Sequence, residues 1–276
     1  MLQYDYIEVG QGLHKPNICS KCKIIFSLSC DSYKTLASYN HPSLLFDCNI
    51  GEESELELGF GKGELSGILH SCVEDMKSGD KRKYTVTITK DLDYLKENTE
   101  FQFDVELLMF TQTEHFYTLS PEKKIAIALR LKEFGNKLFI SNEPFTAALF
   151  YSLAVKYIIS IHSNKEYDTK NEKYKTVLVS CKLNLSACQL KRKIYVETIQ
   201  NCSDVLFLQP MSSKALYRRG CAYLALNDYE NAQSDIVLGL KLEPQNPALK
   251  KLMFSFNKKK QMEDIQLSER LKTMFF

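Results

Sequence analysis

Along the first 120 residues the apolar positions recur at a period of two. Lys23 to Leu28 is a compact β-branched and aromatic run, and both Lys83–Thr89 and Phe101–Leu107 alternate large apolar with polar residues. Runs of this kind bury one face of a sheet. Between them, Glu64 to Met76 places Leu65, Ile68, Leu69, Cys72, Val73 and Met76 at spacings of three and four, which predicts one helix lying on that sheet. Ser78-Gly79-Asp80 supplies a turn after it. Beyond Ser120-Pro121 the alternation stops and helical spacing runs to the end of the chain, with Ser120 suited to cap and Pro121 to open a first helical turn. The pattern predicts an α+β protein: an antiparallel β-sheet with one helix, then an all-α region, joined at about Phe110–Ser120.

The helical half repeats itself. Pro210 and Pro244 are 34 residues apart, and at the same offset Lys182–Cys188 superposes on Leu216–Ala222, and Cys202 on Ile236. A third copy lies upstream, where Gly135, Leu138, Ala147, Tyr151 and Ala154 occupy the positions of Gly220, Tyr223, Ala232, Ile236 and Gly239. The step from Gly135 to Ser186 is one period plus a polar insertion around His162–Lys175. A 34-residue helix–turn–helix period resembles the tetratricopeptide (TPR) repeat, and three copies are about the minimum for a stable stack. The tail from Lys258 carries Ile265, Leu267, Leu271 and Met274, which predicts a final helix capping the last repeat.

Composition narrows the classes. At 44% hydrophobic and 25% charged, with 11 glycines and 7 prolines in 276 residues, the chain is neither collagenous nor disordered. No run of 18 apolar residues and no basic-then-apolar leader follows Met1, so a soluble intracellular protein, cytoplasmic or nuclear, is expected. The net charge of +2 is unevenly spread: residues 1–120 hold 11 basic and 19 acidic residues (net −8), and residues 121–276 hold 25 and 15 (net +10). A basic half suits an anionic partner, and nucleic acid, a membrane surface and an acidic peptide all fit. Nine irregularly spaced cysteines read as reduced thiols. Cys19 and Cys22 form a lone CxxC with only His14 near, a weak metal or redox signal. Gly59–Gly63 lacks phosphate-loop spacing and the five histidines are scattered, so no catalytic group, metal or cofactor is expected.

Taken together, Val9-Gly10-Gln11-Gly12, the helix ending in Met76, Gly79-Asp80-Lys81-Arg82-Lys83 and Phe103–Leu108 resemble the FK506-binding immunophilins, joined here to TPR repeats. Lys214–Gly220 and Leu271–Phe275 are similar to that family's FK506-binding protein-like branch, and its germline branch shares the two-part layout. The resemblance implies an FKBP-like domain over residues 1–114, three repeats within 121–246 (about 128–161, 179–212 and 213–246), and a C-terminal capping helix over 247–276.

Active members of that family isomerise prolyl bonds in an aromatic-lined pocket, against an uncatalysed barrier of roughly 18–20 kcal/mol. Their pocket floor is a tryptophan; this chain has none, and Leu69 stands in its place. Phe26 stands where a pocket tyrosine would, either a pocket remnant or an ordinary core residue, and Leu56 replaces an aromatic. The link Lys90–Glu100 contains Tyr94 but neither Ala-Tyr-Gly nor Ile-Pro. A degenerate, non-catalytic domain is therefore expected to bind a client protein, the alternative being an active isomerase with a pocket rebuilt from Phe26, Leu56, Leu69 and Tyr94.

In the family's co-chaperones five repeat positions clamp the acidic C-terminal peptide of Hsp90, and the resemblance carries these onto Lys132, Asn136, Asn184, Lys214 and Arg218. Lys132 and Asn136 are four apart on one helix, as are Lys214 and Arg218 on another, so each pair shares a face. Lysine and arginine offer charge-assisted donors to carboxylates, and asparagine amides donate without adding repulsion between cations. Asn184 can equally tie neighbouring helices. The expected partners are the Hsp90 tail, or that of Hsp70, and a client protein, rather than nucleic acid or membrane.

Overall fold

Five strands, β1 (Leu2–Glu8), β2 (Lys21–Leu28), β3 (Glu53–Glu57), β4 (Lys81–Ile88) and β5 (Thr99–Phe110), form one antiparallel sheet in the order β1-β4-β5-β2-β3. The computed structural model describes residues 2–12, 14–28, 50–61, 64–88, 99–163 and 172–275, and the chain divides into two units, Met1–Leu119 and Ser120–Phe276. β5 lies central, running from Lys81↔Glu106 to Ile88↔Thr99 along β4 and from Cys22↔Phe110 to Leu28↔Phe103 along β2.

The period-two pattern sets the inner face. Cys22, Ile24 and Phe26 from β2, Tyr84 from β4 and Phe103, Val105 and Leu107 from β5 point into one core, against Leu69, Cys72 and Val73 of helix α1 (Glu64–Glu74). The helix ends two residues before the predicted Met76, because Met76 N–H turns back to the Val73 carbonyl at 3.1 Å; Met76 is still fully buried. β1 and β3 were not in the predicted set. β3 is short and buries Leu56 as its inward residue, too brief a pattern to register as a strand.

One inward position on β4 is charged. Arg82 is 1% exposed and donates to Asp80 Oδ2 at 2.6 Å and to Asp75 Oδ2 at 3.1 Å. Asp80, equally buried, also accepts from the N–H groups of Gly10 and Lys77 at 2.7 and 3.0 Å. Burial disfavours its charge, yet those two N–H groups and the Arg82 guanidinium outweigh burial and hold the carboxyl below the usual carboxylate range. Residue 10 must be glycine for this, since a Cβ there would lie 2.2 Å from the Ser78 carbonyl oxygen.

The second unit consists of α2 (Pro121–Ile140), α3 (Pro144–Ile159), a single 3₁₀ turn (Ser160–Ser163), α4 (Glu172–Lys191), α5 (Tyr195–Leu208), α6 (Ser213–Ala225), α7 (Tyr229–Leu242) and α8 (Pro247–Phe275). Ser120 caps α2, accepting from Lys123 N–H, with Pro121 in the first turn. Helices pack in pairs, α2 on α3, α4 on α5 and α6 on α7, and the first helices of successive pairs also touch. α2 and α4 begin about two turns before residues 128 and 179, where the period alone starts those repeats.

The three pairs share one joint. Glu143 N–H reaches the Leu138 carbonyl, Ile194 N–H the Gln189 carbonyl and Asp228 N–H the Tyr223 carbonyl, each at 2.9 Å. The preceding residues, Asn142, Lys193 and Asn227, have φ of 65°, 60° and 60°. This is the left-handed helix stop of the Schellman type, and it recurs at the spacing of the sequence repeat. Within the pairs, Ala147, Ala154, Ala232, Ser186 and Thr198 are buried small residues that let the helices approach.

The last pair is covered by the start of α8, where Leu252 and Phe256 pack with Leu224, Ala232 and Ile236, and Leu249 lies against Gly239. The capping contact is thus made before the tail residues the sequence pattern singled out: Ile265 is 48% exposed, and the side chains of Leu267, Leu271 and Met274 lie outside the described residues. No helix among the described residues is long and apolar enough to cross a membrane.

Candidate functional site

The five candidate clamp residues lie on the first helices of the three pairs: Lys132 and Asn136 on α2, Asn184 on α4, Lys214 and Arg218 on α6. Asn136 Oδ1 accepts two hydrogen bonds, from Asn184 Nδ2 at 2.9 Å and from the Tyr151 hydroxyl at 2.7 Å. The Arg218 guanidinium donates to the carbonyl of Leu183, the residue before Asn184. Asn136, Asn184 and Arg218 are thereby brought onto one line across α2, α4 and α6, and all three are half-buried. Asn184 does tie neighbouring helices, and its partner is another candidate site residue.

Lys132 stands one turn before Asn136, close enough to Cys181 that its charge opposes the effect of burial, which pushes that thiol up to about 11. Lys214 stands one turn before Arg218 and is exposed. Burial presses the Arg218 guanidinium below the ordinary arginine value, and its named neighbours are the thiols of Cys202, Cys188 and Cys221 and the Tyr217 phenol. Those thiols are themselves poor anions: burial raises Cys188 and Cys221 to about 11. None can neutralise Arg218 at neutral pH.

Three other buried or half-buried cations among the described residues are paired with carboxylates. Arg219 makes a two-pronged bond to Asp235 at 2.8 and 2.7 Å and a third bond to Ser203 at 3.0 Å. Lys182 is paired with Asp204, and Arg82 with Asp80 and Asp75. By contrast, Lys132, Lys214 and Arg218 have no carboxylate partner among the described residues. Cations without a carboxylate partner and asparagine amides are the donor types that carboxylates take.

In the first unit, Phe26, Leu56 and Leu69 are 0%, 5% and 0% exposed and belong to one core cluster. The Phe26 and Tyr84 rings each sit 5.5 Å from that of Phe103. Phe26 is thus buried on the inner face of β2, a placement that both readings of it share. Leu69 occupies the second turn of α1. Tyr94 lies outside the described residues. Cys19 and Cys22 flank the start of β2, and Cys22 is fully buried with its thiol pushed up to about 12.

Sequence reasoning placed Tyr151 among packing positions only. The signal that could have marked it is the hydroxyl, since the equivalent positions of the other repeats hold Cys202 and Ile236.

No family model matches the chain. Peptidyl-prolyl cis-trans isomerase FKBP4 of Bos taurus is 27% identical over 248 residues, covering 87% of this chain and 51% of that protein. FK506-binding protein-like of Rattus norvegicus is 28% identical over 273 residues, covering 96% and 68%. The chain spans about half the length of the FKBP4 relatives it matches. Among solved structures, the C-terminal TPR-containing domain of an FK506-binding protein of Plasmodium falciparum is 31% identical, with a TM-score of 0.50, covering 54% of this chain and 99% of that one. Residues 1–211 of CG17282 share the fold at 20% identity and a TM-score of 0.56, covering 70% and 91%. With an antiparallel FKBP-like sheet before three helix pairs that align with an immunophilin TPR domain, the chain belongs to the FK506-binding immunophilins that carry tetratricopeptide repeats.

Proposed function

We propose that the chain is a non-catalytic Hsp90 co-chaperone or adaptor acting in the cytoplasm. Its TPR unit holds the acidic C-terminal peptide of Hsp90 through Lys132, Asn136, Asn184, Lys214 and Arg218, while its FKBP-like unit presents a client or another protein. The observation that carries this reading is the contrast among cations: Arg82, Lys182 and Arg219 have carboxylate partners, and the three cations of the candidate clamp have none. Leaving a half-buried guanidinium such as Arg218 without an anion is costly, and a ligand carboxylate removes that cost. A C-terminal aspartate brings two carboxylates to the asparagine amides and the cations together.

Each charge-assisted bond contributes about 1.5–3 kcal/mol, and ordering a flexible peptide removes part of that. Micromolar affinity, about −8 kcal/mol, is expected. The loss of isomerase activity is supported by the absence of tryptophan and by the lack of Ala-Tyr-Gly and Ile-Pro in Lys90–Glu100.

The test is calorimetric titration of the full chain with a peptide ending in Met-Glu-Glu-Val-Asp, with its C-terminal amide, and with the Arg218→Ala variant. Micromolar binding that the amide and the Arg218→Ala change each weaken sharply supports the clamp. Equal binding by a folded Arg218→Ala protein sinks it. A peptide with the Hsp70 ending, Ile-Glu-Glu-Val-Asp, run in competition, ranks the two chaperones.

A further inference from the structure

We infer that Tyr151 is a positioning residue for the carboxylate site: its hydroxyl fixes which end of the Asn136 amide faces the ligand. The inference rests on the clamp reading and adds a residue from the second helix of the first pair, which lies behind the candidate site.

An asparagine amide has nearly the same shape either way round but opposite chemistry at its two ends. With Nδ2 toward a carboxylate it donates; with Oδ1 toward it, two acceptors face each other. In this chain Oδ1 of Asn136 takes both the Tyr151 hydroxyl at 2.7 Å and Asn184 Nδ2 at 2.9 Å. Turning the amide over would set its Nδ2 against the donor of Asn184 and leave the phenol without an acceptor there. Asn136 Nδ2, the end left over, has no acceptor among the described residues and is free to donate to a ligand.

The phenol is held rigidly enough to do this. Tyr151 is 2% exposed on α3. Its ring lies against α2 at Gly135, where a Cβ would come within 2.8 Å of Cε1. The residue before Asn136 is thus the one that admits the ring, and a one-residue step links the packing position to the candidate ligand position. Burial, followed by the neighbouring Cys188 and Cys181, pushes the phenol well above its ordinary value, so it stays protonated, in its donor form, at neutral pH. The other repeats place Cys202 and Ile236 at this position and carry no asparagine at the equivalent of Asn136, which are Ala187 and Cys221. The hydroxyl and the amide occur together in one repeat only.

The experiment uses the full chain and two peptides ending in Met-Glu-Glu-Val-Asp, one with a free C-terminus and one amidated, titrated against wild type and Tyr151→Phe. Phenylalanine keeps the ring and its packing. The expected result is about a tenfold loss for the free acid, less than a twofold change for the amidated peptide measured by competition, and an unchanged far-UV spectrum. A purely structural role would weaken both peptides alike, so the acid-to-amide ratio is the discriminating readout. As a measurement without substitution, the side-chain amide signals of Asn136 in ¹⁵N-labelled protein should shift with the free-acid peptide and not with the amidated one. An unchanged ratio in Tyr151→Phe, or no response at the Asn136 amide while wild type binds, overturns the positioning role and leaves the clamp standing. Absence of binding by wild type removes both.

Discussion

Replacing Asp80 by asparagine should destabilise the first unit alone. Arg82 is 1% exposed on the core face of β4, and Asp80 is its buried partner at 2.6 Å. Removing one member of a buried ion pair costs about 3–5 kcal/mol, because the other charge stays buried without compensation. Two features put this case at the low end, about 3 kcal/mol. Asp75 keeps its 3.1 Å bond to Arg82, although its carboxylate is half exposed and screened by water. Asparagine also keeps the side-chain volume and can still accept one of the N–H groups of Gly10 and Lys77. With a urea slope of about 2 kcal/mol per molar, the midpoint of the first unit falls by about 1.5 M. The chain has no tryptophan, so hydrogen exchange read by mass spectrometry is the suitable assay. Peptides covering β4 and β5 should lose protection while those covering α6 and α7 keep it. A loss below about 1 kcal/mol, or an equal loss in α6 and α7, refutes the reasoning. Adding Arg82→Leu removes the orphaned charge and should recover most of the lost stability.

The same carboxylates make the first unit acid-labile. Asp80 is held below its unfolded value of 3.8 by its N–H donors and Arg82 against the effect of burial, and Asp75 chiefly by Lys15. The unfolded chain therefore binds protons first as pH falls, so their stabilisation is complete above about pH 5 and is lost as pH falls through the folded values; a pH-stability profile flat from 7 to 3 would contradict this. Lys193 holds a left-handed φ of 60° where the equivalent joints have Asn142 and Asn227. Lys193→Asn should stabilise the second unit by about 0.5–1 kcal/mol, measured by chemical denaturation, because asparagine tolerates that conformation and lysine is strained in it. The full chain should leave the cis/trans exchange of a prolyl peptide unaccelerated in an NMR exchange assay; acceleration abolished by Phe26→Ala would restore the isomerase alternative.

What could be read from the chain alone was whatever repeats at a fixed period. A β-branched and aromatic run gave β2, alternation gave β4 and β5, three-and-four spacing gave α1, and the 34-residue offset with its upstream copy gave three helix pairs, because each is a local consequence of which face must be buried. The joints at Asn142, Lys193 and Asn227 stand at equivalent places of the three repeats, yet a lysine in one of them hides the signal from sequence. Tertiary structure alone decided the rest. Arg82 shares the parity of Tyr84, but the partners that let a charge stand there appear only where the turn at Asp80 and the end of α1 at Asp75 converge on it. Five candidate clamp positions were legible through a family resemblance, but which cations lack a carboxylate depends on residues of another helix, as Arg219 and Asp235, 16 positions apart, show beside Arg218. Tyr151 looks like packing until Gly135 lets its ring lie close enough for the hydroxyl to reach Asn136. Periodicity records what each element buries; pairing and orientation are set only where elements distant in sequence meet.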